Sequence, residues 1–268
     1  MATARVSPFP ARAADSLAPL VPWLVPALVL VLWQGLSATG VIPARMLPAP
    51  TSVIGAAGAM IEKGTLLPHV LASTQRALLG FAIGGGLGFL LGLANGTFAW
   101  SGRLFDSSLQ MLRTIPHLAL IPLVILWFGI GETARVFLVA LGVLFPVYLN
   151  TYHGVRTVDA GLLEMARNYG LSRWRTFRQV VLPGALPSIL VGVRYALGIM
   201  WLTLIVAETI AASSGIGKVT MDAREFLQTD VLVFGILLYA GLGKLADASA
   251  KTLERKLLAW HPSYVKAG

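Results

Sequence analysis

Long apolar runs, separated by short stretches that carry most of the charge, dominate this chain. A helix needs about 20 mostly apolar residues to cross the hydrocarbon core of a membrane. Six runs come near that length, the third and the last being short or interrupted by charge: 17–36, 77–100, 118–131, 136–152, 188–210 and 231–249. The pattern predicts an all-α, polytopic membrane protein with about six transmembrane helices.

Composition supports this prediction and excludes several other classes of protein. The mean hydropathy of +0.75 is far above that of a soluble domain, in which each helix must show a polar face to water. The chain has no cysteine, which excludes disulfides and thiolate metal sites. The net charge of +9 could indicate nucleic-acid binding if the basic residues formed one face of a soluble fold. In this chain they lie between apolar runs. We therefore expect no nucleic-acid partner.

The distribution of Lys and Arg predicts the orientation. With the N-terminus inside, the inner segments carry 14 of these side chains and the outer segments five. Because cytoplasmic loops are enriched in Lys and Arg, we expect both termini to be cytoplasmic. The chain divides into a cytoplasmic tail at 1–16, a transmembrane domain at 17–250 and a cytoplasmic tail at 251–268. The first run is longer than the apolar region of a signal peptide and five more follow, which favours a signal anchor over a cleaved signal.

A basic segment at 159–187 interrupts the apolar pattern and is predicted to form a helix, a turn and a second helix outside the bilayer. We call it the 159–187 hairpin. Asp159 is placed to cap the first helix, and Gly170 stands where a helix ends in a left-handed residue. Ser172 is placed to cap the second helix, which Pro183 and Pro187 are expected to stop.

The second helix of the hairpin is amphipathic. Trp174, Phe177 and Val181 share one face, while arginines occupy the rest, at positions 173, 175 and 178. Pattern alone leaves open a hairpin that lies on the membrane surface, with its arginines on anionic headgroups and its aromatic rings in the interface.

The fixed positions of the hairpin resemble the cytoplasmic signature of ABC importer permeases. That signature reads Glu-Ala-Ala, three residues, Gly, nine residues, an aliphatic residue, one residue and Leu-Pro. The matching residues here are Glu164, Ala166, Gly170, Val180, Leu182 and Pro183, with Met165 in place of the usual second residue. The stretches "LLGFAIGGGLGFLLGL", "MLRTIPHLALIPLVILWFGIGE" and "LPGALPSILVGVRYALGIMWLTLIVAETI" resemble the aliphatic sulfonate permeases, a group related to those for taurine and nitrate. The resemblance covers 47–262.

The resemblance implies a type I ABC importer permease fold and a set of partners. In such permeases the hairpin docks in a cleft of a cytoplasmic ATPase subunit, which binds ATP and Mg²⁺, so the permease itself needs no cofactor. The implied partners are that ATPase, an extracytoplasmic solute-binding protein and a second permease copy, in the bacterial cytoplasmic membrane. The implied ATPase-coupling residues are Glu164, Ala166, Gly170, Leu171, Ser172, Arg173, Trp174, Leu182 and Pro183.

No catalytic motif stands out. The two Gly-Lys pairs, at 217–218 and 243–244, lack the remaining residues of a phosphate-binding P-loop. The four histidines do not have the spacing that puts two metal ligands on one helix face. We therefore expect no enzyme activity, no catalytic residue and no metal site in this chain.

A secondary transporter driven by an ion gradient is the alternative from another class. Such proteins keep ionisable groups near mid-membrane and show repeated halves. Arg194 and Glu208 are the candidates, but fourteen residues separate them by about 21 Å along a helix, so they cannot pair. We expect each near an opposite interface. Residues expected along the transport pathway are Arg194, Trp201, Thr203 and Glu208. Taurine, nitrate or another small anion would suit them as well as a sulfonate.

A glycine stripe marks the second run. Gly80, Gly84, Gly88, Gly92 and Gly96 recur at every fourth residue and permit close approach of another helix. Four residues overshoot one helical turn by about 40°, so the stripe is expected to spiral and to receive several neighbours. A packing role is favoured over a moving interface. The loop at 211–230 is expected outside, as a gate, a receptor contact or an ordinary connection.

Overall fold

The computed structural model describes residues 21–210 and 212–261, apart from the side chain of Ala99. The predicted tail at 1–16, the first four residues of the first run, Ala211 and residues 262–268 lie outside the described residues. Within the described residues there is no strand, and the α-helices are α1 Val21–Ala38, α2 Pro50–Glu62, α3 Leu66–Thr97, α4 Ala99–Leu112, α5 Ile121–Phe128, α6 Glu132–Arg156, α7 Ala160–Asn168, α8 Arg173–Thr176, α9 Leu182–Thr209, α10 Ile216–Glu225 and α11 Thr229–Leu257. The predicted all-α class is confirmed.

Five helical stretches in this part of the chain are long and apolar enough to cross a membrane. They are α1, α3, α6, the continuous run Arg173–Thr209 and α11. The run at 118–131 does not form a crossing by itself. It contains the 3₁₀ turn His117–Leu120 and the eight-residue α5, which meet α4 at a bend of 78°. Pro116 precedes the turn and cannot donate a backbone hydrogen bond, so the helix breaks there.

The direction of the neighbouring helices shows that this bent pair is the sixth crossing. Gly80 of α3 packs on Val139 of α6, and Gly92 packs on Thr151, so α3 and α6 run in the same direction. The chain between two parallel helices must return across the thickness that they span. Only α4, the 3₁₀ turn and α5 lie between them, and together they make that return.

All five glycines of the stripe face a single helix, α6. A Cβ atom at Gly80 would lie 2.5 Å from Val139 Cγ1, and one at Gly92 would lie 2.6 Å from Thr151 Cβ. The expected packing role is confirmed, but the expected spread over several neighbours is wrong. A partner helix can stay on such a stripe by wrapping in the right-handed sense, which a repeat longer than 3.6 residues favours.

Two neighbouring glycines of α3 provide a matched test of this packing. A methyl group at Gly84 would overlap the backbone carbonyl of Ala140, whereas one at Gly86 would have no atom within 4 Å. Because two packed backbones cannot separate locally, we expect Gly84→Ala to destabilise the fold by about 1–3 kcal/mol. Gly86→Ala should be neutral or slightly stabilising, since alanine is the better helix former. Thermal unfolding of the purified variants measures both, and equal transition temperatures would contradict the packing role.

Helix α9 completes the core between α6 and α11 and runs antiparallel to both. Gly154 and Gly142 of α6 lie against Ser188 and Thr203 of α9, and Trp201 of α9 stacks edge-on against Tyr239 of α11. The buried side chains of this core come mainly from α6 and α9. The 159–187 hairpin joins α6 to α9, and we call that side of the bundle the hairpin end and the other the distal end.

Candidate functional site

The first half of the hairpin has the geometry that its sequence predicts. Asp159 caps α7 by accepting hydrogen bonds from the backbone N–H groups of Gly161, at 2.6 Å, and Leu162, at 3.3 Å. Gly170 has a φ of +71°, and Leu171 N–H donates to the carbonyl oxygen of Ala166 at 3.0 Å. A Cβ atom at Gly170 would meet nothing within 4 Å, so this position needs glycine for its backbone angle and not for space.

The second half of the hairpin differs from the prediction. Ser172 does cap α8, with its Oγ 3.4 Å from the backbone nitrogen of Arg175. The helix does not stop at Pro183 or Pro187 but continues into α9 through a π-helical segment, Phe177–Val181. Pro183 has no N–H group to donate to the preceding turn, and it follows a π-helical segment in which the α-helical hydrogen-bond pattern has already changed. The last part of the hairpin is therefore continuous with a helix long and apolar enough to cross the membrane.

The hairpin presents aromatic and basic side chains without covering them. The rings of Trp174 and Phe177 stack with centroids 5.7 Å apart, and Trp174 is 68% exposed. The exposed side chains among the predicted coupling residues are Glu164, Ser172, Arg173 and Trp174. A large exposed aromatic ring beside a cluster of arginines is typical of a surface that binds another protein.

Small, close contacts hold the base of the hairpin on the bundle. Ala166 is buried, and Leu182 packs against a cluster that contains Val155 and Ala185. The hydroxyl group of Ser188 donates to the carbonyl oxygen of Asn150 at 2.8 Å. Leu182 and Ser188 therefore fix the end of the hairpin and the start of α9 against α6.

A second cluster of functional groups lies at the distal end, around Arg76 of α3. All five N–H donors of its guanidinium group are used. They bind both carboxylate oxygens of Glu132 at 2.5 and 2.7 Å, Glu208 Oε1 at 2.6 Å, and the hydroxyl and carbonyl oxygens of Ser214 at 2.6 and 2.7 Å. Arg135 adds a second cation, 2.9 Å from Glu132. We call Ser73, Arg76, Glu132, Arg135, Glu208, Ser214 and Tyr239 the distal network.

Glu208, at the end of α9, is fully buried in this network. Besides Arg76, it accepts hydrogen bonds from the hydroxyl groups of Ser73 and Tyr239 and from the backbone N–H of Gly217. Gly215 and Gly217 bring the start of α10 so close that a Cβ atom at either would overlap the Glu208 side chain. The two cations and two carboxylates balance, so the network is suited to holding five helices together and not to attracting an anion.

Sequence reasoning placed Glu208 near one interface but missed its partner. Arg76 directly precedes the second apolar run, 77–100, and Glu208 was compared only with Arg194, which is too far away. The useful signal was orientation: α3 enters from the side where α9 ends, so Arg76 and Glu208 are brought to the same end of the bundle although 132 residues separate them.

The four residues predicted along the pathway do not meet in one cavity of a single chain. Trp201 and Thr203 are buried between helices, and Thr203 Oγ1 lies 2.9 Å from His117 Nε2 at the break in the third crossing. Glu208 belongs to the distal network. Arg194 lines an open groove of about 430 Å³ on α9, where it pairs with Asp247 of α11 at 2.6 Å. Their role in transport stays a prediction.

Residues 84–259 match the family described as the inner membrane component of binding-protein-dependent transport systems. The chain is 59% identical over 245 residues to a protein of Escherichia coli K12 named as the aliphatic sulfonates transport permease SsuC, covering 91% of this chain and 93% of that protein. It is 36% identical over 242 residues to the taurine transport system permease protein TauC of the same organism, covering 88% and 87%.

The fold is also found among solved structures. An amino acid ABC transporter crystallised with histidines contains a chain that superposes with a TM-score of 0.59 at 18% identity, covering 74% of this chain and 97% of that one. At this identity the likeness shows the fold alone, and it confirms the ABC permease fold that the resemblance implied.

Proposed function

The chain belongs to the family of inner membrane components of binding-protein-dependent transport systems and is a permease subunit of an ABC importer, and we propose that its substrates are aliphatic sulfonates. The identity of 59% to the aliphatic sulfonates permease, over more than nine-tenths of both chains, carries this proposal. A taurine permease is the second candidate, because the chain is 36% identical to one over a similar length. Taurine is itself a sulfonate, so the two candidates share a charged group and differ in what it is attached to.

Growth on defined sulfur sources tests the substrate. A strain that lacks this gene is expected to fail on alkanesulfonates as sole sulfur source, to grow normally on sulfate, and to recover when the gene is supplied on a plasmid. A sulfonate is fully ionised, so it cannot cross the hydrocarbon core unaided. Normal growth on alkanesulfonates without a redundant importer, together with a defect on taurine or nitrate, would reassign the substrate and leave the permease mechanism intact.

The 159–187 hairpin is the proposed docking site for a cytoplasmic ATPase subunit, which supplies the ATP and Mg²⁺ sites. Three features support this role: the exposed Trp174 with its neighbouring arginines, the capped turn at Gly170, and the continuous helix from Arg173 to Thr209. Closure of two ATPase subunits would draw two such hairpins together. Because α8 continues into α9, that movement would tilt a transmembrane helix and open the pathway on the distal side.

Two further partners complete the proposed transporter. A second copy of this chain would supply the other half of the pathway, whose lining would include Arg194 in its open groove. An extracytoplasmic solute-binding protein would deliver the anion to the distal end and would hold most of the specificity. The neutral distal network fits this arrangement, because a site of free cations there would retain the anion and not release it.

In the proposed orientation the chain crosses the bacterial cytoplasmic membrane several times. The hairpin and both termini lie in the cytoplasm. Since the chain has no native cysteine, single cysteines report on exposure without background. Asn168 on the hairpin and Ser213 at the distal end are both exposed. We expect a membrane-impermeant maleimide to label Ser213→Cys in intact cells and Asn168→Cys only after permeabilisation. The reverse pattern would overturn the orientation.

A further inference from the structure

An open groove of about 1000 Å³ lies between the 159–187 hairpin and the last turns of α3. One wall is apolar and belongs to the membrane-spanning helix, with Leu90 and Leu93 of α3 followed by Phe98. The other wall is the hairpin, with Trp174 and Phe177.

Two arginines of the hairpin, Arg167 and Arg173, also line the groove. Both are exposed, and neither forms a salt bridge with any residue in the described part of the chain. Their charges are therefore available to an anionic group. An apolar groove beside two guanidinium groups that have no salt bridge in the described residues fits a molecule that is apolar along its length and anionic at one end.

The depth of the groove decides which such molecule can reach it. Leu90 lies seven residues before the end of α3, about 10 Å along the helix from its terminus, within the membrane-spanning segment. The acyl chains of membrane lipids lie at that depth, whereas the docking surface proposed for a soluble ATPase lies outside the bilayer. Basic pockets between transmembrane helices on the cytoplasmic side are known to hold anionic lipid headgroups.

We propose that the groove binds an anionic phospholipid of the leaflet on the hairpin side. The phosphate group lies between Arg167 and Arg173, and an acyl chain follows Leu90 and Leu93. A bound lipid would fill the space behind Trp174 and Phe177 and would set the distance of the hairpin from α3. This binding site is additional to ATPase docking and does not depend on the identity of the transported substrate.

Native mass spectrometry of the purified full-length chain tests the headgroup contact. The probes are phosphatidylglycerol and phosphatidylethanolamine with the same acyl chains, added to delipidated protein in mild detergent. We expect preferential retention of phosphatidylglycerol, and a loss of about tenfold to thirtyfold in its affinity in the double variant Arg167→Gln and Arg173→Gln. The matched control replaces Arg175 and Arg178, which lie on the same hairpin but do not line the groove, and should change affinity less than about twofold.

A second variant tests the apolar part while keeping every arginine. Ala94 lines the groove beside Leu93, and Ala94→Trp should block the space and remove phosphatidylglycerol binding as fully as the arginine substitutions. Three results would overturn the proposal: an equal loss of phosphatidylglycerol affinity in the two arginine double variants, equal retention of the two lipids, or unchanged phosphatidylglycerol binding in Ala94→Trp. The proposal would also be overturned if the complex purified with its ATPase held no lipid in the groove, because the groove would then belong to the ATPase contact. If the chain proved not to transport sulfonates, the measured affinity for phosphatidylglycerol would still decide the lipid proposal.

Discussion

Replacing Arg76 with alanine is expected to destabilise the fold by about 3–5 kcal/mol, because it leaves the buried carboxylate of Glu208 without its cation. Glu208 is 0% exposed, and the Arg76 side chain is 5% exposed. The same substitution removes the five hydrogen bonds that the guanidinium group donates to Glu132 of α6, to Glu208 of α9 and to Ser214. For a chain of this size we expect the thermal unfolding temperature of the purified protein to fall by about 10 °C.

Two controls separate the buried pair from charge loss in general. Lys218 forms a half-exposed salt bridge with Asp222 one turn away on α10, and Lys218→Ala should cost no more than about 0.5 kcal/mol. The double variant Arg76→Met and Glu208→Met removes both buried charges and should regain part of the lost stability. Recovery is incomplete because the hydroxyl groups of Ser73 and Tyr239 lose their acceptor. An Arg76→Ala protein as stable as Lys218→Ala would contradict the proposed role of the distal network.

Replacing Gly170 with proline is expected to abolish transport while leaving the chain inserted at normal abundance. Proline fixes φ near −65°, whereas Gly170 has a φ of +71°, so the turn between α7 and α8 cannot form. The substitution also removes the N–H group that donates to the carbonyl oxygen of Arg167 at 2.9 Å. Because the transmembrane helices do not depend on this turn, we expect the loss in uptake of labelled alkanesulfonate, with membrane abundance unchanged.

Asparagine at the same position is the matched control. Asn is the non-glycine residue that most readily adopts the left-handed conformation, and a side chain here would meet no atom within 4 Å. Gly170→Asn should therefore keep most of the uptake. If both variants transported equally well, the turn would not matter for coupling.

The sequence predicted the features whose causes are local. Asp159, Gly170 and Ser172 act on backbone groups within five residues, so their roles follow from spacing alone. The close-packing role of the glycine stripe was likewise predictable. Which helix lies on the stripe was not, because that depends on how α6 wraps around α3.

The features that the sequence did not predict depend on the arrangement of distant segments. Pro183 was expected to end a helix, but a π-helical segment just before it lets the helix continue. The third crossing was predicted from the run at 118–131 alone, but it also includes α4, because Pro116 divides it into two bent pieces. The distal network joins residues from four helices and the segment before α10, and no spacing along the chain indicates that Ser73, Arg76 and Tyr239 surround Glu208.

Co-purification from membranes tests the central claim that this chain is a permease driven through the 159–187 hairpin. An affinity-tagged chain, expressed at its native level and extracted in mild detergent, is predicted to retain an ATPase subunit in equal amount. The Gly170→Pro variant is predicted to lose that subunit while keeping its own abundance. A chain that purified without any ATPase and still supported uptake, or a Gly170→Pro variant that retained both the ATPase and full uptake, would contradict the account.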